Sequence, residues 1–518
     1  MLRVRGLLVV VLLSTTALSA RSVARGAFAV DETTIAAVHA AFASGDLTCR
    51  ALVDTYLARI AKYDQHGPTL NAIASVNPLA RDEADRLDRL YAEHGLSGPL
   101  HCVPIILKDN IETEGWETNG GSLALKGFVP DRDATAVQRL KAAGAIILAK
   151  SNMSDLALNA LTTVNRIHGR TKNPYALDRV PAGSSGGTAV AIAANFGLVG
   201  LGTDTGNSVR GPAAHTSIVG LRPTMGLTSR TGTIPLDRLS DVIGPMTRTV
   251  EDAAAVLMVL TGFDPEDPAT AAVRDAPGLG MPANFDAPVA GMRVGVLRQA
   301  YEGDRLRINS EIAKTFRQAL DDLAALGVVV VEDVTVDAVP PVPGAEECGG
   351  LKYDLNEFLE SQGDRVPLRS LSQIIASGKF DPSIEEDLRV MDEGKHEGPG
   401  SRACEASAEY RLAMATALSA AMDRQQLDAL VYPTWSQPPQ YMFSYDTEGA
   451  GQTLRFATAS GFPAITVPMG YTEKVLPAGL SILGRAWTES QLLRIANAYE
   501  RATHHRHPPA LTPPLTKQ

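Results

Sequence analysis

The sequence predicts an α/β fold, organised as one large α/β/α sandwich. Short apolar runs, typical of buried strands, recur from residues 103–107 to residues 464–467. Segments with a helical spacing of apolar residues separate these runs, and such alternation favours strands and helices packed in layers. The chain has 518 residues, 45% of them hydrophobic and 20% charged, which is enough for a single large core. We find no internal repeat and no second domain.

The order of the elements supports this fold class. Between residues 31 and 63, the apolar spacing predicts two amphipathic helices separated at Gly45 and Asp46. Other helices are predicted over 78–94, 135–143 and 188–196 and from Pro212 onwards, and strands over 103–107, 145–149, 199–202, 293–297, 328–331 and 464–467. The mature chain is predicted to begin with N-terminal helices (30–95) and a core that carries the candidate reactive residues (96–264). A linker-like loop rich in Pro, Asp and Ala (265–288) follows, and a C-terminal part (289–518) completes the sheet and the pocket.

The first 29 residues have the pattern of a secretory signal peptide. Arg3 and Arg5 give a basic start, an apolar run spans residues 6–13, and Ala27-Phe-Ala29 fits the small-x-small pattern of a cleavage site, with Ala20 as a second candidate. The apolar run is shorter than the roughly 20 residues that span a bilayer, and an uncleaved membrane anchor is the alternative. We expect a secreted or periplasmic protein, cleaved near Ala29, with no stable membrane association afterwards.

Charge and cysteine content argue against several classes of function. The net charge is −10 and the Lys and Arg residues are dispersed, so no basic stripe points to nucleic acid. Cys49, Cys102, Cys348 and Cys404 form no CxxC or Cys/His cluster, so no thiolate metal site is expected. Export permits disulfides, but the sequence does not choose among three complete pairings and free buried thiols.

Three short segments combine a flexible backbone with reactive side chains. They are Leu-Lys-Asp-Asn at 107–110, after an apolar strand; Pro-Ala-Gly-Ser-Ser-Gly-Gly at 181–187, before a helix; and Gly-Thr-Asp-Thr-Gly-Asn-Ser-Val-Arg at 202–210, between a strand and a helix. Taken singly, each has an ordinary structural explanation, such as a solvated lysine or a turn with a helix cap. No GxxxxGK[ST] phosphate-binding motif is present.

In the order and spacing of these segments, the chain resembles the amidase signature family. The resemblance continues at 219–224, 244–248, 461–465, 477–480 and 498–500, and therefore covers nearly all of the mature chain. The 24-residue interval between Ser184 and Ser208 also matches the family. The resemblance implies a mixed central sheet covered by helices, and hydrolysis of carboxamide C–N bonds with release of ammonia or an amine.

The family pattern also implies roles for individual residues. Ser208 would be the nucleophile that forms an acyl-enzyme, Ser184 a bridging serine that follows a cis peptide bond from Gly183, and Lys108 the base. A serine hydroxyl is a poor nucleophile until a base removes its proton. Lysine is a base only when neutral, so burial must lower its pKa from about 10.4. The bridging hydroxyl passes the proton on and later returns it to the leaving amine.

The same pattern implies an oxyanion hole made by the backbone N–H groups of Thr205, Gly206, Asn207 and Ser208. Many family members have Gly-Gly-Ser at the nucleophile, so Asn207 is a departure. Because Asn tolerates unusual backbone angles, the loop can still form, and the Asn side chain is a candidate to narrow the pocket or contact substrate. A second, smaller departure is Ala182, where many relatives have glycine.

Ser185, Asp204 and Arg210 are predicted to support the site. We expect Ser185 to hydrogen-bond the bridging serine. For Asp204 and Arg210 there are two interpretations: they bind substrate, or they hold the backbone of the nucleophile loop, which we favour.

A rival interpretation takes Ser185 as the nucleophile of a GxSxG elbow. That motif needs a strand directly before it, whereas a Pro-containing loop precedes residue 181. The late histidines that this arrangement would need, His504, His505 and His507, lie in a Pro-rich tail where we expect them to be solvated.

The substrate pocket is harder to predict. Residues 349–358 resemble an element of the bacterial peptide-amidase-like subgroup. The candidate lining residues of an apolar pocket are Trp116, Tyr353, Trp435 and Tyr441, although for any one of them we favour buried packing. We expect a small-molecule amide substrate, no metal or organic cofactor, no nucleic-acid partner, and a monomer or homodimer. The alternatives are a carbamate or ester hydrolase with the same triad, a non-catalytic binding protein on this scaffold, and one component of a glutamyl-tRNA amidotransferase.

Overall fold

The computed structural model of the chain describes residues 28–276, 285–302, 307–337, 346–444 and 456–515. The predicted signal peptide lies outside these residues except for its last two positions. None of the helices in the described ranges is long and apolar enough to cross a membrane.

The described part of the chain contains fifteen strands, eleven of which form one sheet. In chain order they are β1 (Ile73–Val76), β2 (Pro104–Lys108), β3 (Ile146–Ser151), β4 (Val164–Asn165), β5 (Gly169–Arg170), β6 (Val199–Asp204), β7 (Val219–Arg222), β8 (Val242–Thr247), β9 (Arg293–Val296), β10 (Val329–Val331), β11 (Glu346–Cys348), β12 (Lys395–Glu397), β13 (Ala429–Pro433), β14 (Ala464–Thr472) and β15 (Leu476–Leu483).

The large sheet has the order β1-β3-β2-β6-β8-β7-β14-β15-β13-β9-β10. Strands β2, β3 and β6 run parallel, as do β13, β9 and β10, whereas the strands between these groups are antiparallel. The predicted α/β/α sandwich with a mixed central sheet is therefore confirmed. Because β2 and β6 are parallel neighbours, the segments that follow them emerge at the same edge of the sheet.

Fourteen α-helices accompany these strands in the described ranges. They are α1 (Ile35–Ala43), α2 (Cys49–Tyr63), α3 (Ala80–His94), α4 (Thr135–Ala142), α5 (Gly186–Ala193), α6 (Arg210–His215), α7 (Val250–Leu260), α8 (Ser310–Ala325), α9 (Gly350–Gln362), α10 (Leu371–Ser377), α11 (Glu385–Glu393), α12 (Arg402–Arg424), α13 (Phe456–Ser460) and α14 (Glu489–Thr503). The side chains of Thr34, Thr48 and Thr249 cap α1, α2 and α7 by accepting a backbone N–H of the first turn. The predicted break at Gly45 and Asp46 falls between α1 and α2, as expected.

A separate apolar cluster joins α9, α10 and α11 to the loop that contains Leu125 and Phe128. Phe358 of α9 packs edge-on against Phe128, with ring centroids 6.0 Å apart. This three-helix cap was not predicted, because its helices are short and its apolar residues contact a loop far away in the sequence. Part of the predicted linker-like loop is also packed, since Asp267 is buried and pairs with Arg230.

The four cysteines form two disulfides, Cys49–Cys102 and Cys348–Cys404. This pairing is one of the three that the sequence left open. The first disulfide joins Cys49, the first residue of α2, to Cys102, which lies two residues before the start of β2. The second joins β11 to α12, at the base of the three-helix cap.

The C-terminal tail is held against the N-terminal helices. Arg506 makes a 2.7 Å ion pair with Glu32, and Arg59 donates to the carbonyl of Thr512 at 2.8 Å. His504 and His507 are exposed, as predicted, although His507 stacks on Tyr471. In contrast to the prediction of solvation, His505 is partly buried and lies 3.1 Å from Asp322.

Candidate active site

Lys108 is the last residue of β2, and its side chain is fully buried. Its Nζ lies 2.7 Å from Ser184 Oγ and 2.7 Å from Thr203 Oγ1, with the Thr203 carbonyl oxygen at 3.5 Å. The side-chain amide of Asn110 donates to the same Thr203 hydroxyl at 3.2 Å. Among the described residues, Lys108 makes no ion pair. Its partners are therefore neutral oxygens.

Burial lowers the pKa of Lys108 to about 7, because the low-dielectric interior disfavours the charged amine. The negative charges of Asp241 and Asp204 act in the opposite direction but do not restore the ordinary value. An amine with such a pKa is partly neutral near pH 7 and has a lone pair that accepts a proton.

The backbone before Ser184 has an unusual conformation. The Gly183–Ser184 peptide bond is cis, as the family resemblance implied, and Ala182 has a positive φ of 65°. Gly183 allows a close approach of two segments, since a Cβ at this position would lie 2.3 Å from the carbonyl oxygen of Asn159. Ser184 is itself completely buried.

Ser208 lies in the loop between β6 and α6, and Asp204 holds this loop in shape. Asp204 Oδ2 accepts from the backbone N–H of Val209 at 3.2 Å and from Arg210 Nε at 3.1 Å. Arg222 Nη1 lies 3.1 Å from Asp204 Oδ1, and Arg210 donates to the carbonyl of Gly206 at 2.9 Å. These contacts match the interpretation that Asp204 and Arg210 hold the backbone.

Charge compensation keeps Asp204 ionised although it is fully buried. Burial alone would raise its pKa, but the positive charges of Arg210 and Arg222 outweigh burial and hold the pKa well below its usual range. A second carboxylate, Asp241, fixes the other side of the loop, since the hydroxyl of Thr205 donates to it. Asp241 also accepts from the backbone N–H groups of Leu236 at 2.9 Å and Asp237 at 3.1 Å.

The backbone N–H groups of residues 205–208 donate to no acceptor within the described ranges. Four successive free donors next to Ser208 are suited to bind a negatively charged oxygen. The Ser208 side chain is 5% exposed, and its hydroxyl has no hydrogen bond to any described residue. The two serine segments also touch, since the backbone N–H of Ser185 donates to the Ser208 carbonyl at 3.3 Å.

Ser185 differs from its predicted role. Its hydroxyl donates to the carbonyl of Thr203 at 3.2 Å rather than to Ser184. The side chain turns towards β6 because Gly202 leaves room there: a Cβ at Gly202 would lie 2.8 Å from Ser185 Oγ. A loop, not a strand, precedes Ser185, as expected, and within the described contacts no histidine reaches it.

Of the four aromatic candidates, Trp435 lies beside the loop that carries Ser208. It is 3% exposed, and its Nε1 donates to the carbonyl of Gly211 at 3.0 Å. Trp116 instead bonds Ser75, Tyr441 covers the guanidinium of Arg179, and Tyr353 lies against Gly398. These contacts place only Trp435 next to a predicted site residue.

Sequence reasoning missed Thr203, Arg222 and Asp241. Thr203 and Arg222 stand inside segments that carry the family resemblance, so a signal existed, but it did not reveal which atoms they contact. In the described residues there is no group of three or more His, Cys, Asp or Glu side chains that would hold a metal ion.

Comparison with known proteins identifies the family. Residues 51–493 match the family model described as Amidase. A probable amidase of Arabidopsis thaliana is 32% identical over 507 residues, covering 93% of this chain and 92% of that protein. One component of the glutamyl-tRNA(Gln) amidotransferase from Myxococcus xanthus is 34% identical, covering 89% of this chain and 95% of that protein.

Solved structures give the same answer. The native peptide amidase from Stenotrophomonas maltophilia superposes with a TM-score of 0.79 at 34% identity, covering 93% of this chain and 99% of that one. An amidase family protein from Bacillus anthracis has a TM-score of 0.80 at 29% identity, with coverage of 93% and 92%. The chain therefore belongs to the amidase family and is a hydrolase of amide C–N bonds.

Proposed function

We propose that the protein hydrolyses carboxamides through an acyl-enzyme on Ser208, with Lys108 as the base and Ser184 as the proton relay. The observation that carries this proposal is the 2.7 Å contact between the buried amine of Lys108 and the hydroxyl of Ser184. The backbone contact between Ser185 and Ser208 supports it, because it brings the relay and nucleophile segments together.

Thr203 supports the direction of proton transfer. A neutral amine has two N–H donors and one lone pair. The hydroxyl and carbonyl oxygens of Thr203 are acceptors for the two donors, at 2.7 and 3.5 Å. The lone pair of Lys108 is then directed at the Ser184 hydroxyl, which is the geometry that a general base needs.

In the proposed acylation, Lys108 takes the proton of Ser184 while Ser184 takes the proton of Ser208. The Ser208 oxygen bonds to the amide carbon, and the carbonyl oxygen becomes an oxyanion held by the N–H groups of residues 205–208. The proton then returns through Ser184 to the amide nitrogen, the C–N bond breaks, and ammonia or an amine leaves. Water repeats the sequence on the ester and releases the acid and free Ser208.

We propose small-molecule amides as substrates, including peptide-type amides, because of the similarity to peptide amidase. The same groups would also cleave esters and carbamates. Comparing kcat/KM for an amide, an ester and a carbamate with matched acyl groups would rank these three substrate classes. The dispersed Lys and Arg residues and the net charge of −10 do not favour a nucleic-acid partner. We propose that the enzyme acts as a monomer or homodimer without a cofactor.

We also propose that the protein is exported and cleaved near Ala29. The two disulfides support this, because such bonds persist in oxidising compartments. Edman sequencing of protein from the periplasmic and culture fractions tests it. A mature start near residue 30 is expected, and an intact Met1 in the cytoplasmic fraction would contradict the proposal.

Turnover of a primary amide by three alanine variants tests the mechanism. Ser208→Ala and Lys108→Ala should each lower kcat by more than about 10³-fold while the far-UV circular dichroism spectrum stays unchanged. Ser185→Ala is the matched control, because it removes a neighbouring hydroxyl whose one hydrogen bond within the described ranges goes to the Thr203 carbonyl. This variant should retain most of the activity. Substantial turnover by Ser208→Ala would exclude Ser208 as the nucleophile.

A further inference from the structure

The side chain of Asn207, directly before Ser208, has no hydrogen-bond partner in the part of the chain that the structure describes. Both its Oδ1 and its Nδ2 are buried and unpaired among the described residues, and the side chain is 4% exposed. Buried amides in proteins are nearly always hydrogen-bonded, so an unpaired one next to a nucleophile needs an explanation. Asn207 is also the position where this chain departs from the usual Gly-Gly-Ser pattern.

The surroundings of Asn207 form a small corner, defined here by Asn207, Gly211, His215 and Trp435. Gly211 leaves room for the amide, because a Cβ at Gly211 would lie 2.8 Å from Asn207 Nδ2 and 2.9 Å from Cζ2 of Trp435. The ring of His215 stacks on Trp435, with centroids 4.9 Å apart. The corner therefore lies between the nucleophile loop and the aromatic side chain that packs beside it.

The corner has hydrogen-bonding capacity but no net charge. Neither ring nitrogen of His215 makes a hydrogen bond of ordinary geometry to a described residue. Burial lowers the pKa of His215 to about 3, offset only in part by the backbone of Gln437, so the imidazole is neutral at neutral pH. The indole N–H of Trp435 donates to the carbonyl of Gly211 and is not available to another acceptor. The free groups are thus a neutral donor and a neutral acceptor on Asn207, beside a neutral ring.

We propose that Asn207 is a specificity-determining residue, whose side chain hydrogen-bonds a second, neutral amide group of the substrate adjacent to the scissile one. This inference rests on the proposed function of Ser208. An amide side chain offers one carbonyl acceptor and two N–H donors, which complement the N–H and carbonyl of another amide. A carboxylate or ammonium group is disfavoured there, because the corner holds no opposite charge to compensate its desolvation.

Kinetics with two matched substrate pairs tests this role. Within each pair, one substrate carries an acetamido group and the other carries an alkyl chain of the same length in its place. This group is attached on the acyl side of the scissile amide in one pair and on the amine side in the other. The decisive variant is Asn207→Leu, which keeps the number and branching of the side-chain heavy atoms and removes both polar atoms. Relative to the alkyl member of the same pair, it should lower kcat/KM for the acetamido member of at least one pair by about tenfold or more, whatever change in both members follows from altering the loop.

A second variant and two further readouts keep the test decisive. Asn207→Gly restores the common family residue and should show the same selective loss without any added bulk. Because an unpaired buried amide destabilises the free enzyme, the unfolding midpoint of Asn207→Leu should not fall. Labelling of Ser208 by a fluorophosphonate should persist in both variants, since the nucleophile is intact.

Equal losses for all four substrates, or no change in either pair, would overturn the inference. If labelling persists in that case, the role of Asn207 is wrong and the proposed nucleophile stands. If the parent enzyme itself is not labelled, the proposed function fails first. Parent-like selectivity of Asn207→Leu together with altered selectivity of Asn207→Gly would mean that Asn207 acts by volume alone, which also overturns the inference.

Discussion

Replacing Lys108 by methionine removes a charge from a fully buried position while keeping a side chain of similar length. The fall of the Lys108 pKa from 10.5 to about 7 means that burial of the protonated amine costs about 5 kcal/mol at low pH. The substitution also leaves the buried hydroxyl of Ser184 without its Lys108 partner, which costs about 1–3 kcal/mol. Thr203 keeps its hydrogen bonds from Asn110 and Ser185. Near pH 6.5 the free energy of unfolding should therefore change little or rise, while activity is lost.

The sharper prediction concerns the difference in unfolding free energy between the parent enzyme and Lys108→Met, and how this difference depends on pH. Below about pH 7, Lys108 is protonated in both the folded and the unfolded state, and the cost of burial is present in full. Between about pH 7 and 10.5 the folded state holds a neutral amine while the unfolded state holds a charged one, so the cost shrinks as pH rises. Relative to Lys108→Met, the parent enzyme should gain about 3 kcal/mol of unfolding free energy between about pH 6.5 and 9.5.

Urea unfolding of both proteins at the two pH values measures this gain, because all other titrating groups are shared and cancel in the difference. The parent minus variant difference should move by about 3 kcal/mol in favour of the parent. A difference that stays within about 0.5 kcal/mol across this range would mean that the folded pKa of Lys108 is close to its ordinary value, and the reasoning about the base would be refuted.

Three further predictions concern the same site. The acidic limb of the kcat/KM profile should rise with pH through about 7, since neutral Lys108 is the active form, and a profile flat between about pH 5 and 9 would contradict this. Thr203→Val removes the hydroxyl that orients the amine and should lower kcat by about 10- to 100-fold with little change in KM; an unchanged kcat would show that Lys108 needs no such partner. Asp204→Asn leaves the buried Arg210 and Arg222 without a counter-charge and should lower the unfolding free energy by about 3–5 kcal/mol in a urea titration; a loss below about 1 kcal/mol would mean that the loop does not depend on this charge.

Much of the architecture is encoded locally and could be predicted. The helices α1 and α2 follow from apolar spacing, and β2 follows from an apolar run that ends in polar residues. The segments around Ser184 and Ser208 have a composition that requires tight backbone packing, and the structure shows that packing at Gly183 and Gly202.

Other features depend on contacts between distant residues and left little local signal. Lys108 and Thr203 are 95 positions apart, and their contact exists because β2 and β6 pair in parallel. The disulfide between Cys348 and Cys404 depends on how β11 meets α12. The unpaired amide of Asn207 was visible in the sequence only as a departure from a pattern, since its lack of a partner depends on the surrounding packing.

The most direct test of the central claim is intact-mass spectrometry of the protein after incubation with a fluorophosphonate, beside Ser208→Ala. We expect one adduct per chain of the parent enzyme and none on the variant, because the proposed mechanism activates the Ser208 hydroxyl, which lies next to backbone donors that are free among the described residues. An adduct of the same stoichiometry on folded Ser208→Ala would contradict the account, as it would place the nucleophile on another serine.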